Sequence, residues 1–406
     1  MKETPTAQPS LLLYDPQRAL ETVQAIPGLT PARLFKVLFP LWEVECVGVQ
    51  RHSRPYEMLE LFLERGIAEG QLCSVAELAS FFGLDKALVE KMLLFLRAIG
   101  HVDGTDDRLS LTNLARNSLA DEKIYYETET RRKLYFEAYT SHPLPQEHYR
   151  LDILSEAEAL FHPDRHVFRL FSFRAWQPDT LMTLAQRPDR ARWNLPDEVR
   201  DLKEEAVTRA YLPMYIVEAR ERMRGNHIGT RYVVLTRLRG LRDSFFEKLV
   251  NAESDVMDLL YAEAVPDVRQ LMENYLTDRG IDTRDISLSQ LAPDAWRATI
   301  TERTFLSTEK SITLKEVGRY QLVRGYCLQI WCEAPTLRRE AALEQALHVI
   351  SNWQRPATQQ TVTQLLETLS TRLQTIKLGV EELKAQASAQ DIKTVLAKLE
   401  AIDATG

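Results

Sequence analysis

Apolar residues recur at helical spacing from residue 56 to residue 100. YEMLELFLERG (56–66) predicts an amphipathic helix that stops at Gly66. Ser74 then opens SVAELASFFGL with Glu77 three residues later. This is a capping box, in which the Ser oxygen and the Glu carboxylate satisfy each other's free backbone donors. Gly83 ends that helix, and Asp85 caps the next, DKALVEKMLLFLRAIG, which stops at Gly100. The polar turn DGTDD before RLSLT predicts a hairpin. A last helix runs from Asn113 to about Leu119. On a wheel of about 100° per residue, Leu88, Val89, Met92, Leu93, Phe95, Leu96 and Ile99 form the core face of the 85–100 helix. Its outer face is Lys86, Ala87, Glu90, Lys91, Leu94, Arg97 and Ala98.

Elsewhere the periodicity is shorter. In PARLFKVLFPLWEVECVGVQ (31–50), Val44, Cys46 and Gly48 alternate with Glu45, Val47 and Val49, so the end of this stretch predicts a strand, and Arg51 to Pro55 a polar break. RRKLYFEAY (131–139) and the aromatic HVFRLFSFRAW (166–176) predict strands, LDILSEAEALF (151–161) a helix, and QRPDRARWNLP (186–196) a loop. From 197 the pattern is that of an α/β unit. DEVRDLKEEAVTRAY predicts a helix, and PMYIVEARERM and RYVVLTRLRGL predict strands joined by RGNHIGT, with Gly225, Asn226 and Gly229. One or two helices over 244–276, broken near Pro266, precede the strand-like EVGRYQLVRGYCLQIWCEA and the closing helix EAALEQALHVISNW.

Past the polar QRPATQQ, the residues Val362, Leu366, Leu369, Leu373, Ile376, Val380 and Leu383 are spaced 4, 3, 4, 3, 4, 3. That is the a/d seam of a coiled coil. One helix over 361–385 would be roughly 37 Å long. A second, from Asp391, carries Ile392, Val395, Leu399 and Ile402 but is too short to cover the seam. An intermolecular partner, or a second copy, is therefore the expectation. On that expectation, deleting 357–406 leaves a folded core of lower mass; docking on the chain's own α/β unit is the alternative.

The order helix, capped helix, turn, longer helix, two-stranded wing, helix over residues 55–119 resembles the winged helix-turn-helix superfamily of bacterial regulators. The residues that carry the likeness are Ser74-Val75-Ala76-Glu77-Leu78-Ala79, the Gly83-Leu84-Asp85 turn, Leu88–Ile99 and Leu109-Ser110-Leu111-Thr112. The resemblance covers about 65 of the 406 residues. It implies a DNA-contacting or protein-docking module, since such folds serve both.

The expected fold class is α+β and helix-rich. It comprises a flexible arm (1–15), a winged-helix domain with an N-terminal extension (16–120), a connecting mixed segment (121–195), a central mixed α/β domain (196–353), a linker (354–360) and a coiled-coil-like tail (361–404). The net charge of −7 argues against a general polyanion binder. The four cysteines, Cys46, Cys73, Cys327 and Cys332, form no C-x-x-C pair and suit a reducing compartment. With no leader-like start and no membrane-length apolar run, the expected location is cytoplasmic.

Candidate chemistry is sparse. In the module, Lys86, Lys91 and Arg97, with Arg51 and Arg54 before it, are the DNA-binding candidates. No Asn, Gln, Ser or Thr accompanies them on the outer helix face to read base edges. The wing carries Asp103, Asp106 and Asp107, which repel phosphate. Seven arginines crowd residues 220–242: Arg220, Arg222, Arg224, Arg231, Arg237, Arg239 and Arg242. On strands, Arg220, Arg222 and Arg224 share one face and Arg237 and Arg239 another. Arg220, Arg222, Arg231, Arg237 and Arg239 are the phosphate-binding candidates. Pairing with the acidic residues that follow, Glu247, Glu253, Asp255 and Asp258, is the reading the pattern favours over phosphate binding. Glu218, with Asp197 or Asp201, is the one candidate catalytic carboxylate for a metal-dependent, nuclease-like site, although Arg220 stands where such a site prefers Lys. His142, His148, His162 and His166 cluster in sequence, but Pro163 interrupts any helix there and solvated loop histidines are expected. No P-loop, G-x-S-x-G, H-E-x-x-H or G-x-G-x-x-G motif occurs, and neither cofactor nor metal is expected. The chain therefore reads as a non-catalytic regulator or adaptor binding DNA, a partner protein or both, suited to a bacterial regulatory or genome-defence complex. The alternative is a nucleic-acid-acting enzyme through the central domain.

Overall fold

The structure is a computed structural model that describes residues 11–223, 227–261, 266–306, 312–354 and 357–403. Arg224, Gly225 and Asn226 of the expected hairpin loop lie outside the described residues, as does most of the expected arm. The fold is a mixture of helices and strands. Two compact units emerge, and neither is contiguous in sequence. The first takes the residues up to Phe39, Leu151–Phe171 and those from Tyr211 on. The second takes Pro40–Arg150 and Ser172–Ala210. The partition expected from the sequence is linear, whereas two long strands, Leu29–Pro55 and Val199–Arg222, each have residues in both units.

In the second unit, the latter part of Leu29–Pro55 pairs antiparallel with Lys123–Glu137, from Leu41↔Glu137 to Pro55↔Lys123 without a break. Arg51 to Pro55 is thus strand rather than a break. Its polar side chains are matched across the ladder, as where Arg51 meets Glu127 at 2.9 Å. Residues 56–122 are inserted at the end of this ladder. They form the helices Met58–Ala68, Val75–Phe82 and Lys86–Ala98, the hairpin Val102–Thr105 with Arg108–Leu111, and the helix Asn113–Ala120. The local signals explain the boundaries. Ser74 accepts from the Glu77 amide while Glu77 accepts from that of Ser74. Gly83 takes the left-handed conformation that ends a helix (φ +64°), and Asp85 accepts from the Ala87 amide. Leu63, Leu78, Val89, Leu93, Leu96 and Leu109 fill the interior. Beside them Glu64 and His101, both fully buried, lie 2.6 Å apart, and the Tyr56 hydroxyl also donates to Glu64.

In the first unit, Tyr326–Cys332 runs antiparallel to Tyr320–Val323 and parallel to Ala295–Ile300, which pairs antiparallel with Ile286–Ala292. The two strands of 286–300 have no counterpart in the sequence reading. Tyr215–Arg222 pairs with Ile228–Leu235. DEVRDLKEEAVTRAY lies mostly within the strand Val199–Arg222, not in a helix. Its Glu, Lys and Ala content favours helix in isolation, and tertiary pairing overrides that preference. The 244–276 stretch forms three helices, Ser244–Ala252, Ser254–Tyr261 and Val268–Asp278. LDILSEAEALF is helical only over Glu156–Phe161, and HVFRLFSFRAW contributes only the short strand Arg169–Leu170.

The helix expected over 361–385 is two, Gln359–Leu373 and Val380–Ala389, and the second helix expected from Asp391 is Lys393–Asp403. Gln374, left-handed at φ +51°, ends the first. The seam does not await a partner. Val362, Leu366, Leu369, Leu373 and Leu383 are buried, with Val380 packed beside them, in one core with Leu337, Ala341, Leu347 and Trp331. Ile376 alone of the seven is on the surface, 81% exposed. Lys398 donates to the carbonyls of Ile350, Ser351 and Trp353, closing the C-terminal end of the helix Pro335–Ser351. The seam thus belongs to the chain's own interior, because three short helices wrap what one straight helix would leave bare.

Candidate functional site

The 56–122 module exposes several large apolar side chains. On the helix Lys86–Ala98, the buried side chains are Val89, Leu93 and Leu96, while Leu88, Leu94 and Phe95 are exposed. Leu88 and Phe95 therefore leave the core face expected for them, because the insertion offers no further layer above them. Phe81 on Val75–Phe82, and Met58 and Phe62 on Met58–Ala68, are exposed as well, and Phe82 packs its ring against both Phe62 and Phe81. Leu94 is 68%, Phe81 67% and Met58 76% exposed.

The nearby cations are mostly engaged. Arg97 pairs with Asp106 of the wing at 2.8 Å, Lys86 faces Glu90 at 3.6 Å, and Arg51 holds Glu127. Arg54 pairs with the buried Glu60 and lies over the Phe95 ring at 5.6 Å. Its guanidinium is held above its ordinary value, first by that hydrogen bond. Of the five DNA-binding candidates, Lys91 alone is exposed with no carboxylate partner among the described residues.

The arginines of 220–242 do not form one patch. Arg231 bridges Glu221 at 3.2 Å and Glu247 at 3.1 Å, and Arg242 also pairs with Glu247. Arg237 pairs with Asp152. Arg237 and Arg239 lie beyond the strand Ile228–Leu235, so the shared strand face expected of them does not exist. Arg239 is simply exposed. Whereas Arg237 and the Arg231–Arg242 pair line separate, smaller pockets, Arg220 and Arg222 reach a cleft of about 950 Å³ within the first unit. Its wall also holds Arg297 and Arg372, which the sequence reading passed over. Arg297 is on the unread strand Ala295–Ile300, and Arg372 sits between Leu369 and Leu373 of the seam, where apolar periodicity draws attention away from it.

Glu218 is buried, and Arg220 Nη2 contacts Glu218 Oε1 at 2.7 Å and Asp294 Oδ2 at 3.1 Å. Burial raises the Glu218 carboxyl above the usual range, opposed by the Arg220 guanidinium and the Tyr261 hydroxyl. The guanidinium stands between the two carboxylates, where a bridging metal would need to be. Among the described residues no group of three or more His, Cys, Asp or Glu is placed to hold a metal ion. The clustered histidines are not all solvated. His148 is fully buried, and His142 is half-buried beside Trp193 with ring centres 5.0 Å apart. Burial, then the charge of Arg187, lowers the His142 pKa. No described helix is long and apolar enough to cross a membrane. Comparison with protein-family models, with curated proteins and with solved structures finds no match.

Proposed function

We propose that the chain is a non-catalytic regulator or adaptor whose 56–122 module, winged-helix-like in its element order, docks a partner protein. The observation that carries this reading is the exposed apolar set Leu88, Leu94 and Phe95 on the helix Lys86–Ala98, joined by Phe81 on the capped helix before it. Large exposed apolar groups cost solubility and persist where a partner covers them. A DNA-reading helix would instead present free Arg, Lys, Asn or Gln to phosphates and base edges. Here Arg97 and Lys86 already face Asp106 and Glu90.

The test is a photo-crosslinking amino acid placed at Leu94, at Phe81 and, as a control, at the exposed Ile376 of the tail. The expected result is a discrete protein adduct in cells from Leu94 and Phe81 and not from Ile376. Duplex DNA fragments are titrated in parallel at 50–200 mM salt, where phosphate contacts weaken binding steeply, by ~10³-fold or more when several are made. Salt-sensitive DNA binding at micromolar protein, with no protein adduct, would sink the docking reading in favour of the DNA-binding one.

A further inference from the structure

The cleft in the first unit is walled by four arginines from three elements: Arg220 and Arg222 on Val199–Arg222, Arg297 on Ala295–Ile300 and Arg372 on Gln359–Leu373. Among the described residues, only Arg220 of the four has carboxylate partners, Glu218 and Asp294. The two acidic side chains on the wall are spent elsewhere, Glu21 on Arg319 at 3.3 Å and Glu367 on Lys377 at 2.9 Å. Among the described residues, no carboxylate lies within ion-pair distance of Arg222, Arg297 or Arg372.

The two inner guanidiniums are held by neutral groups. Arg297 donates from Nε to Gln329 at 2.8 Å and stacks over Trp331 at 4.3 Å, an indole it shares with Arg338. Arg372 donates to Gln345, and its Nε is buried with no hydrogen-bond partner. Burial lowers the Arg297 pKa. The Arg372 guanidinium is pushed down to about 10, by burial first and then by Arg319, with the more distant Glu21 carboxylate opposing, and so stays charged at neutral pH. Enclosing cations with no carboxylate in ion-pair contact is costly, and a bound anion offsets that cost.

We propose that this cleft binds a small anion bearing a diphosphate group, such as pyrophosphate or a nucleoside diphosphate. Three unpaired guanidiniums on three separate elements match a ligand with several negative oxygens, each able to take two N–H donors from one planar fork. A volume of about 950 Å³ far exceeds a single phosphate and lies within the range of small-molecule sites. Around the arginines, Gln364, Thr368 and Thr371 offer neutral hydrogen-bonding groups for the rest of such a ligand. The proposal stands independently of the docking surface, which lies in the other unit.

The full-length chain is titrated calorimetrically, at fixed ionic strength, with pyrophosphate, ADP, inorganic phosphate and citrate, and its thermal midpoint is followed in parallel. Pyrophosphate and ADP should bind and raise the midpoint. Tighter binding of ADP would assign the nucleoside form, and equal binding the diphosphate alone. Arg297→Gln and Arg372→Gln should each weaken binding on the order of tenfold or more, whereas Arg239→Gln, outside the cleft, should not. Arg222→Gln, on the open wall, provides the same test should an inner variant fail to fold. No binding of pyrophosphate or ADP at millimolar concentration would overturn the proposal. Binding that survives the cleft substitutions, or citrate binding as well as pyrophosphate, would overturn it too.

Discussion

The helix Gln359–Leu373 and the helix Lys86–Ala98 carry apolar patterns of similar density and meet opposite fates. Val362, Leu366, Leu369 and Leu373 are all buried, packed with Leu337, Leu347 and Trp331 of the same chain. Leu88, Leu94 and Phe95 remain in solvent. The first pattern resembles the seam of an oligomer and closes the chain's own core. The second resembles an ordinary core face with one stray leucine and leaves three large side chains uncovered. Apolar periodicity states that a face needs covering. It does not state what covers it, because that depends on which distant elements the tertiary fold brings over it.

The comparison breaks most visibly under truncation. Deleting residues 357–406 removes five buried seam side chains and bares the core beneath them. At roughly 1.5–3 kcal/mol each, the loss rivals the ~5–15 kcal/mol that holds a typical domain together. The expected outcome is loss of cooperative unfolding in circular dichroism, with aggregation. A soluble truncated chain that unfolds cooperatively at the parent temperature would show that the tail is an accessory.

A milder probe is Leu366→Ala. A cavity at a fully packed leucine costs about 2–5 kcal/mol, and the urea midpoint should fall accordingly. A change below about 0.5 kcal/mol would mean that the seam is solvated, as the coiled-coil reading requires of a lone copy.

The smallest effect is expected from Leu94→Lys. At 68% exposure the side chain contributes little to the fold, so stability should move by no more than about 0.5 kcal/mol while the adduct formed from a crosslinker at position 81 is lost. A drop of 2 kcal/mol or more, by the standard of roughly 2–5 for a buried leucine, would place Leu94 inside the core and erase the contrast.

The sequence by itself determined the elements whose signals are local. The Ser74–Glu77 box, the left-handed Gly83, the Asp85 cap and the turn before Arg108 mark the module's elements to within a residue or two, since each acts through backbone groups three or four positions away. It also located the tail's apolar side chains correctly, but not their partner. The tertiary structure decided everything that rests on distant pairing. Arg51 to Pro55 extends as strand because Lys123–Glu137 lies alongside, and Val199–Arg222 is strand despite a composition that favours helix. Of the candidate arginines, Arg231 and Arg237 were already taken by Glu221, Glu247 and Asp152. Arg297 and Arg372, 75 residues apart, face one cleft with Arg222. Charge neutralisation and sheet pairing act between residues that are far apart along the chain. No window on the sequence contains both partners, and only the folded chain brings them together.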